Sequence, residues 1–111
     1  MDNVKNNAYY LNKMLTDIRF LISKTQGISL SDLEKDEVLC DSVCFRLIQI
    51  SENSSKVTQE YKDVHKELPW YQIKGLRNKI VHDYGSVDMN IIYETITKDI
   101  PSLCDMLENL V

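Results

Sequence analysis

Apolar residues at Leu11, Met14, Leu15, Ile18, Leu21 and Ile22 recur three and four positions apart, with Lys13, Asp17 and Arg19 off the stripe. That period predicts a helix over roughly residues 4–25, stopped by Gly27. Ser31-Asp32-Leu33-Glu34 has the form of a capping box, and Asp36 offers a second start signal. A short helical turn and then a long helix follow from these. The long helix buries Val43, Leu47, Ile50 and one of Cys40 or Cys44, continuing toward Ser54. Thr58–His65 carries a weaker helical pattern, with Val57, Tyr61, Val64 and Leu68 as its apolar positions. Pro69 suits the first turn of a new helix from Trp70 through Ile73, Leu76, Ile80 and Val81, ending near Gly85. Asp88 caps a segment holding Ile91, Ile92 and Ile96. Asp99 and Pro101 break and restart it, and Leu103, Met106, Leu107 and Leu110 complete the chain. Every long segment has period 3.6 and connections are short. The expected fold is all-α: an antiparallel up-and-down bundle of four main helices plus short ones.

Composition narrows the picture further. A chain of 111 residues is expected to form one domain, residues 1–111, burying roughly 65% of its unfolded surface without disulfide staples. Three Gly and two Pro are too few for the turns of a sandwich or barrel. No apolar run approaches the length of a membrane span, and the polar start Met1-Asp2-Asn3-Val4-Lys5 lacks the form of a signal peptide. The expected address is the cytoplasm, with no membrane contact. Three cysteines form no C-x-x-C pair. Cys40 and Cys44 share a helix face, but a zinc site needs four ligands and no His stands at ligand spacing, so both are expected in the core.

The formal charge of −4 argues against a broad cationic surface, though not against a small basic site. Positive residues gather at Lys62 and Lys66, and again at Lys74, Arg77 and Lys79. The densest polar cluster is Leu76-Arg77-Asn78-Lys79-Ile80-Val81-His82-Asp83-Tyr84-Gly85. Arg77 and Tyr84 are two helical turns apart, and Asn78 stacks with His82 at i,i+4. Arg77 and His82 lie about 140° apart round an ideal helix, so they converge only if the helix loosens or a second chain supplies one of them. A permanent cation, a group titrating near neutrality, an amide and a phenol suit phosphate binding and proton transfer. The same spacing also suits a helix end whose Arg and His satisfy terminal carbonyls.

The stretch Arg77-x-x-x-x-His82-x-Tyr84, entered through Trp70 and the Arg77-Asn78 pair, resembles the signature of HEPN domains, and more narrowly that of HepT-like ribonuclease toxins. The likeness covers nearly the whole chain. Asp36–Ser54 is similar to that group's second helix, with Ile50-Ser51-Glu52-Asn53 at its Ile-Gly-Glu-Ala stretch. Pro69-Trp70 precedes the signature helix, and Val87-Asp88 with Asp99-Ile100-Pro101 matches the tail. The resemblance implies a metal-independent endoribonuclease acting as a homodimer, with two signature helices facing across a cleft. It needs no cofactor, and Arg77 and His82 are its catalytic residues. It also implies a minimal nucleotidyltransferase antitoxin that adds AMP units to Tyr84. Two features depart from the pattern. Ser51 and Asn53 replace small residues, which is expected to loosen the helix packing, and the net negative charge requires positive residues to line the cleft.

Supporting roles fall to Asn78, as a phosphate or imidazole orienter, and to Glu52, as a salt-bridge partner orienting Arg77. No paired carboxylates suit a magnesium or zinc site. His65 reads as a surface residue, Trp70 as a core or interface aromatic, and Tyr9 and Tyr10 as packing residues. The competing function is a non-catalytic helical module that dimerises, binds a nucleotide and pairs with the nucleotidyltransferase.

Overall fold

Side-chain caps set where five of the helices begin. The computed structural model describes residues 6–81 and 88–111. Its helices are α1 (Asn7–Thr25), α2 (Leu30–Lys35), α3 (Glu37–Ser55), α4 (Gln59–Val64), α5 (Trp70–Val81), α6 (Met89–Glu94) and α7 (Ile100–Glu108). The Asn6 side chain accepts from the Tyr9 N–H at 3.0 Å, and Asp36 accepts from Leu39 at 3.0 Å. Thr58 caps α4 through Tyr61, and Asp88 caps α6 through Asn90 and Ile91. Each such bond satisfies an orphan N–H of a first turn, worth about 1 kcal/mol. The capping box of α2 lies two residues before the expected one. Ser29 Oγ accepts from the Asp32 N–H, and Asp32 returns the bond to the Ser29 N–H, both at 3.0 Å. Ser29 has the extended backbone that a cap requires, whereas Ser31 is already inside the helix. At the other end of α1, Gly27 takes φ +75°, the left-handed conformation that ends helices.

Two cross-links show that α1 and α3 run antiparallel. Asn7 at the start of α1 exchanges bonds with Thr58 beyond the end of α3, at 3.1 and 3.0 Å. Midway, Arg46 meets Asp17 at 2.8 Å and lays its guanidinium 3.8 Å over the Phe20 ring. The last helix also opposes α1. Tyr93 of the preceding α6 donates to the Ile28 carbonyl at 2.8 Å, and Glu108 at the end of α7 holds Arg19 at 2.9 Å. Between these helices Leu11, Met14, Ile18, Leu47, Ile50, Ile100 and Leu107 are at most 2% exposed. Burying each such side chain contributes about 1.5–3 kcal/mol. No strand occurs among the described residues, and the fold is the expected all-α bundle.

Three local expectations fail for physical reasons. Asp99 and Pro101 do not break the last helix. A π-helical segment, Thr95–Asp99, joins α6 to α7 without interruption, and the Ile100 N–H donates to the Thr95 carbonyl five residues back. Pro101 sits in the first turn of α7, where its missing N–H is tolerated when the helix re-registers just before it. Val64 is 71% exposed, because α4 is too short to present a continuous buried stripe and the flanking Val57 and Leu68 supply the anchors. Cys40 and Cys44 are both half-buried against the core, so neither takes the fully buried place that one of them was expected to fill. No helix among the described residues is long and apolar enough to cross a membrane.

Candidate functional site

Ile73, Leu76 and Ile80 turn one stripe of α5 into the core. The remaining faces of that helix carry Lys74, Arg77, Asn78 and Lys79, all exposed. No carboxylate occurs anywhere in Trp70–Val81. Against this helix lies the end of α3, and the two are tied where Ser51 Oγ donates to the Lys74 carbonyl at 2.9 Å. Ser51 is buried, and Asn53 folds its amide back onto the Gln49 carbonyl at 2.9 Å. The larger polar residues at these two positions therefore do not loosen the packing. Ser51 adds a bridge between helices, and Asn53 satisfies itself within α3.

Beside that bridge Ser51, Glu52, Ser55, Lys74, Arg77 and Asn78 line an open cleft of about 240 Å³. Glu52 Oε2 stands 3.7 Å from Arg77 Nε, and both side chains are about half exposed. The contact is made through Nε. Among the described residues nothing else engages the guanidinium, whose outer N–H fork is the edge that matches a phosphate. Three residues picked from the sequence, Glu52, Arg77 and Asn78, thus come together. The other two, His82 and Tyr84, lie outside the described residues, as does the expected helix stop at Gly85. Sequence reasoning missed Lys74 and Ser55 as cleft residues. The signal was present: Lys74 precedes Arg77 by three and Asn78 by four, which places it on their face.

The region upstream is more structured than expected. His65 is only 27% exposed at its side chain, with its ring 4.3 Å from that of Tyr61 and Nδ1 3.4 Å from Glu67. It is held between α4 and α5 and is not a free surface group. Trp70 is half-buried, donating from Nε1 to the His65 carbonyl at 2.9 Å and meeting Tyr61 edge-on. Lys62 stands 5.6 Å from the centre of the Trp70 ring. Partial burial and the neighbouring Lys74 hold its ammonium below the usual lysine range.

The thiols offer no second centre. Burial pushes all three up, Cys44 to about 12, which leaves them protonated at neutral pH and poor as nucleophiles or metal ligands. Among the described residues no group of three or more His, Cys, Asp or Glu is placed to hold a metal.

A family model described as "Ribonuclease HepT-like" matches residues 14–110. The chain is 39% identical over 94 residues to a protein of Caldanaerobacter subterraneus subsp. tengcongensis named as a candidate RNase, covering 85% of this chain and 84% of that one. It is 31% identical over 101 residues to a Thermococcus cleftensis protein named as a candidate HepT ribonuclease, covering 91% and 92%. A longer Methanocaldococcus jannaschii protein, named for a gamma-glutamylcyclotransferase and a candidate RNase, is 28% identical over 94 residues; these are 85% of this chain and 42% of that protein. No solved structure matches the chain. With the family model spanning both α3 and α5, the two helices that build the Glu52–Arg77 cleft, the chain belongs to the HepT-like ribonuclease family.

Proposed function

We propose that this protein cleaves RNA without a metal, at a site formed by Arg77 and His82, and that a nucleotidyltransferase partner silences it by adding AMP to Tyr84. The observation that carries the reading is the cleft itself. Arg77 Nε stands 3.7 Å from Glu52, beside Asn78, on an acid-free helix whose last residue, Val81, precedes His82 in the sequence. In the cleavage step the ribose 2′-oxygen attacks the adjacent phosphorus as its proton passes to a His82 imidazole. The bond to the 5′-oxygen breaks, and that oxygen takes a proton from an imidazolium. The products are a 2′,3′-cyclic phosphate and a 5′-hydroxyl end. Arg77 stabilises charge growing on the non-bridging oxygens, and Asn78 orients the phosphate.

Each chain brings a single histidine, His82, to the proposed site, which favours a paired site in which two copies supply base and acid. Val38 and Phe45 on α3 are 76% and 57% exposed. With Glu52 they recur every seven residues, so two exposed apolar side chains share the helix face that reaches the cleft. A second copy seated on that face in a closed two-fold pair would bring two Arg77–His82 sets together. Tyr84, two residues beyond His82, would then carry its AMP phosphate within reach of Arg77 and fill the place of the RNA backbone.

The test is expression of the chain alone and with a minimal nucleotidyltransferase, followed by growth and total-RNA integrity. Fragmentation that persists in chelator and is lost in His82→Ala supports the reading. An added mass in AMP units that Tyr84→Phe removes supports the switch. Intact RNA with a bound nucleotide would instead establish the non-catalytic binding module.

A further inference from the structure

The Arg77 cleft is not isolated on its helix. Lys74, which lines it, also lines a second and larger depression of about 640 Å³ where α4 and the loop after it meet the start of α5. Lys62, Lys66, Trp70 and Tyr71 line the other side of that depression. Trp70 and Tyr71, then Lys74, then Arg77 and Asn78 follow one another at three- and four-residue steps. They therefore lie along one side of α5, over about 10 Å at ~1.5 Å per residue. The two lysine groups that are separate in the sequence meet here, close enough for Lys74 to depress the Lys62 ammonium.

The groove has the parts of a single-strand track. Tyr71 is 85% exposed, a phenol ring with nothing packed over it among the described residues. Lys62, Lys66 and Lys74 pair with no carboxylate among the described residues, although the groove contains two. Asp63 is engaged by Gln59 Nε2 at 2.9 Å, and Glu67 stands beside His65. An exposed ring beside unpaired ammonium groups is what a nucleic-acid strand uses, with bases stacking and the backbone following the cations. An acidic protein partner would engage the same cations and the ring, so competition with polyglutamate is the arm that separates it from RNA.

We infer that the groove of Lys62, Lys66, Tyr71 and Lys74 is a binding track for single-stranded RNA, holding the nucleotides next to the phosphate that Arg77 engages. This rests on the ribonuclease reading for its direction, since the track leads to the cleavage site, but its binding is separable from cleavage.

The experiment uses the full chain and a 12-nucleotide 2′-O-methyl oligouridine, which lacks the attacking hydroxyl and so reports binding alone. Trp70 is the single tryptophan of the chain, and its emission supplies the signal alongside anisotropy of a labelled oligonucleotide. The expected result is quenching on binding, and an affinity about ten-fold or more weaker in Tyr71→Ala. In Lys62→Ala/Lys66→Ala the slope of log affinity against log salt should fall by about 0.7 per lysine. Circular dichroism melts confirm that each variant folds, and Tyr71→Phe, which keeps the ring, retains the affinity. Unchanged affinity and salt slope in the folded variants would overturn the inference. Displacement of the oligonucleotide by polyglutamate of equal charge would also overturn it, marking the face as one for acidic protein. Cleavage is scored separately on unmodified RNA, so a protein that binds the oligonucleotide through these residues yet cuts nothing would refute the ribonuclease reading and leave the track standing.

Discussion

Replacing Glu52 with Gln separates what the Glu52–Arg77 pair does for folding from what it does for the site. At 3.7 Å the two groups are beyond the 2.7–2.9 Å of a strong charged hydrogen bond. Both side chains are nearly half exposed, at 47% and 48%. Solvent-screened pairs of this kind are worth about 0–1 kcal/mol. For a domain near this size 1 kcal/mol moves the melting midpoint by roughly 4–8 °C, so Glu52→Gln should shift it by only a few degrees. The effect on the site is larger because the carboxylate does two opposed things. It draws Arg77 toward α3 through Nε, leaving the outer fork free, and it places a negative charge beside the incoming phosphate. Losing the first should lower kcat by about ten-fold, the size of one misaligned electrostatic contact of roughly 1.4 kcal/mol. Losing the second should lower KM. The assay pairs a thermal melt with steady-state cleavage of a fluorogenic RNA. A fall in the midpoint of 10 °C or more would refute the argument, because the pair would then be structural. So would a kcat equal to that of the wild type.

Three further outcomes follow from the bundle. Arg46→Ala removes the 2.8 Å contact to the nearly buried Asp17 and the stack over Phe20, and should cost about 2–4 kcal/mol in urea unfolding; adding Asp17→Asn should restore part of the loss. Gly75→Ala adds a methyl group with nothing within 4 Å, inside a helix, and should raise stability by about 0.5–1 kcal/mol, read as a higher urea midpoint at unchanged slope. Cys44 holds its proton to about 12 in the folded chain against 9.0 when unfolded. The unfolded state then binds fewer protons between those values, so stability should fall as pH rises from 9 toward 12, and Cys44→Ala should flatten the decline. At neutral pH the same thiol should alkylate far more slowly folded than in denaturant.

The periodic helices could be read from the chain because their cause is local: a stripe at period 3.6 with a cap at one end. Asp36 and Asp88 were legible for that reason, and so was Gly27. What escaped depends on choices that several residues share. Ser29 and Ser31 both head a Ser-x-x-acid run, and only the backbone at Ser29 is extended. Pro101 reads as a breaker in isolation, yet a five-residue π turn absorbs it when the helix has a core to follow. The site divides in the same way. Arg77, Asn78 and Glu52 were visible by residue type and resemblance, whereas the Ser51 bridge to the Lys74 carbonyl needs the packing of α3 on α5, which no single segment encodes.

The charge balance of the chain pointed the wrong way for an RNA-acting protein, and its geometry explains how a net charge of −4 is compatible with one. A net count averages over the surface, while a phosphate responds to charges within about a Debye length, roughly 8–10 Å. Among the described residues the acidic side chains lie on other elements and their connections, and α5 carries Lys74, Arg77 and Lys79 without any. Lys62 and Lys66, on α4 and just after it, add to the same side of the molecule. Among the described residues the acids that intrude are Glu52, Asp63 and Glu67: Glu52 faces the Arg77 cation, while Asp63 accepts from the Gln59 amide and Glu67 stands beside His65. An acidic body of this kind repels nucleic acid in general while one strip attracts it. Binding confined to that strip favours a flexible single strand, which can follow a narrow path, over a rigid duplex that presents phosphates on every side. Raising the net charge by neutralising an acid on an element outside the strip, such as Glu34 on α2, should therefore strengthen duplex binding more than single-strand binding, and equal gains for both would show that the acidic body plays no part in the discrimination.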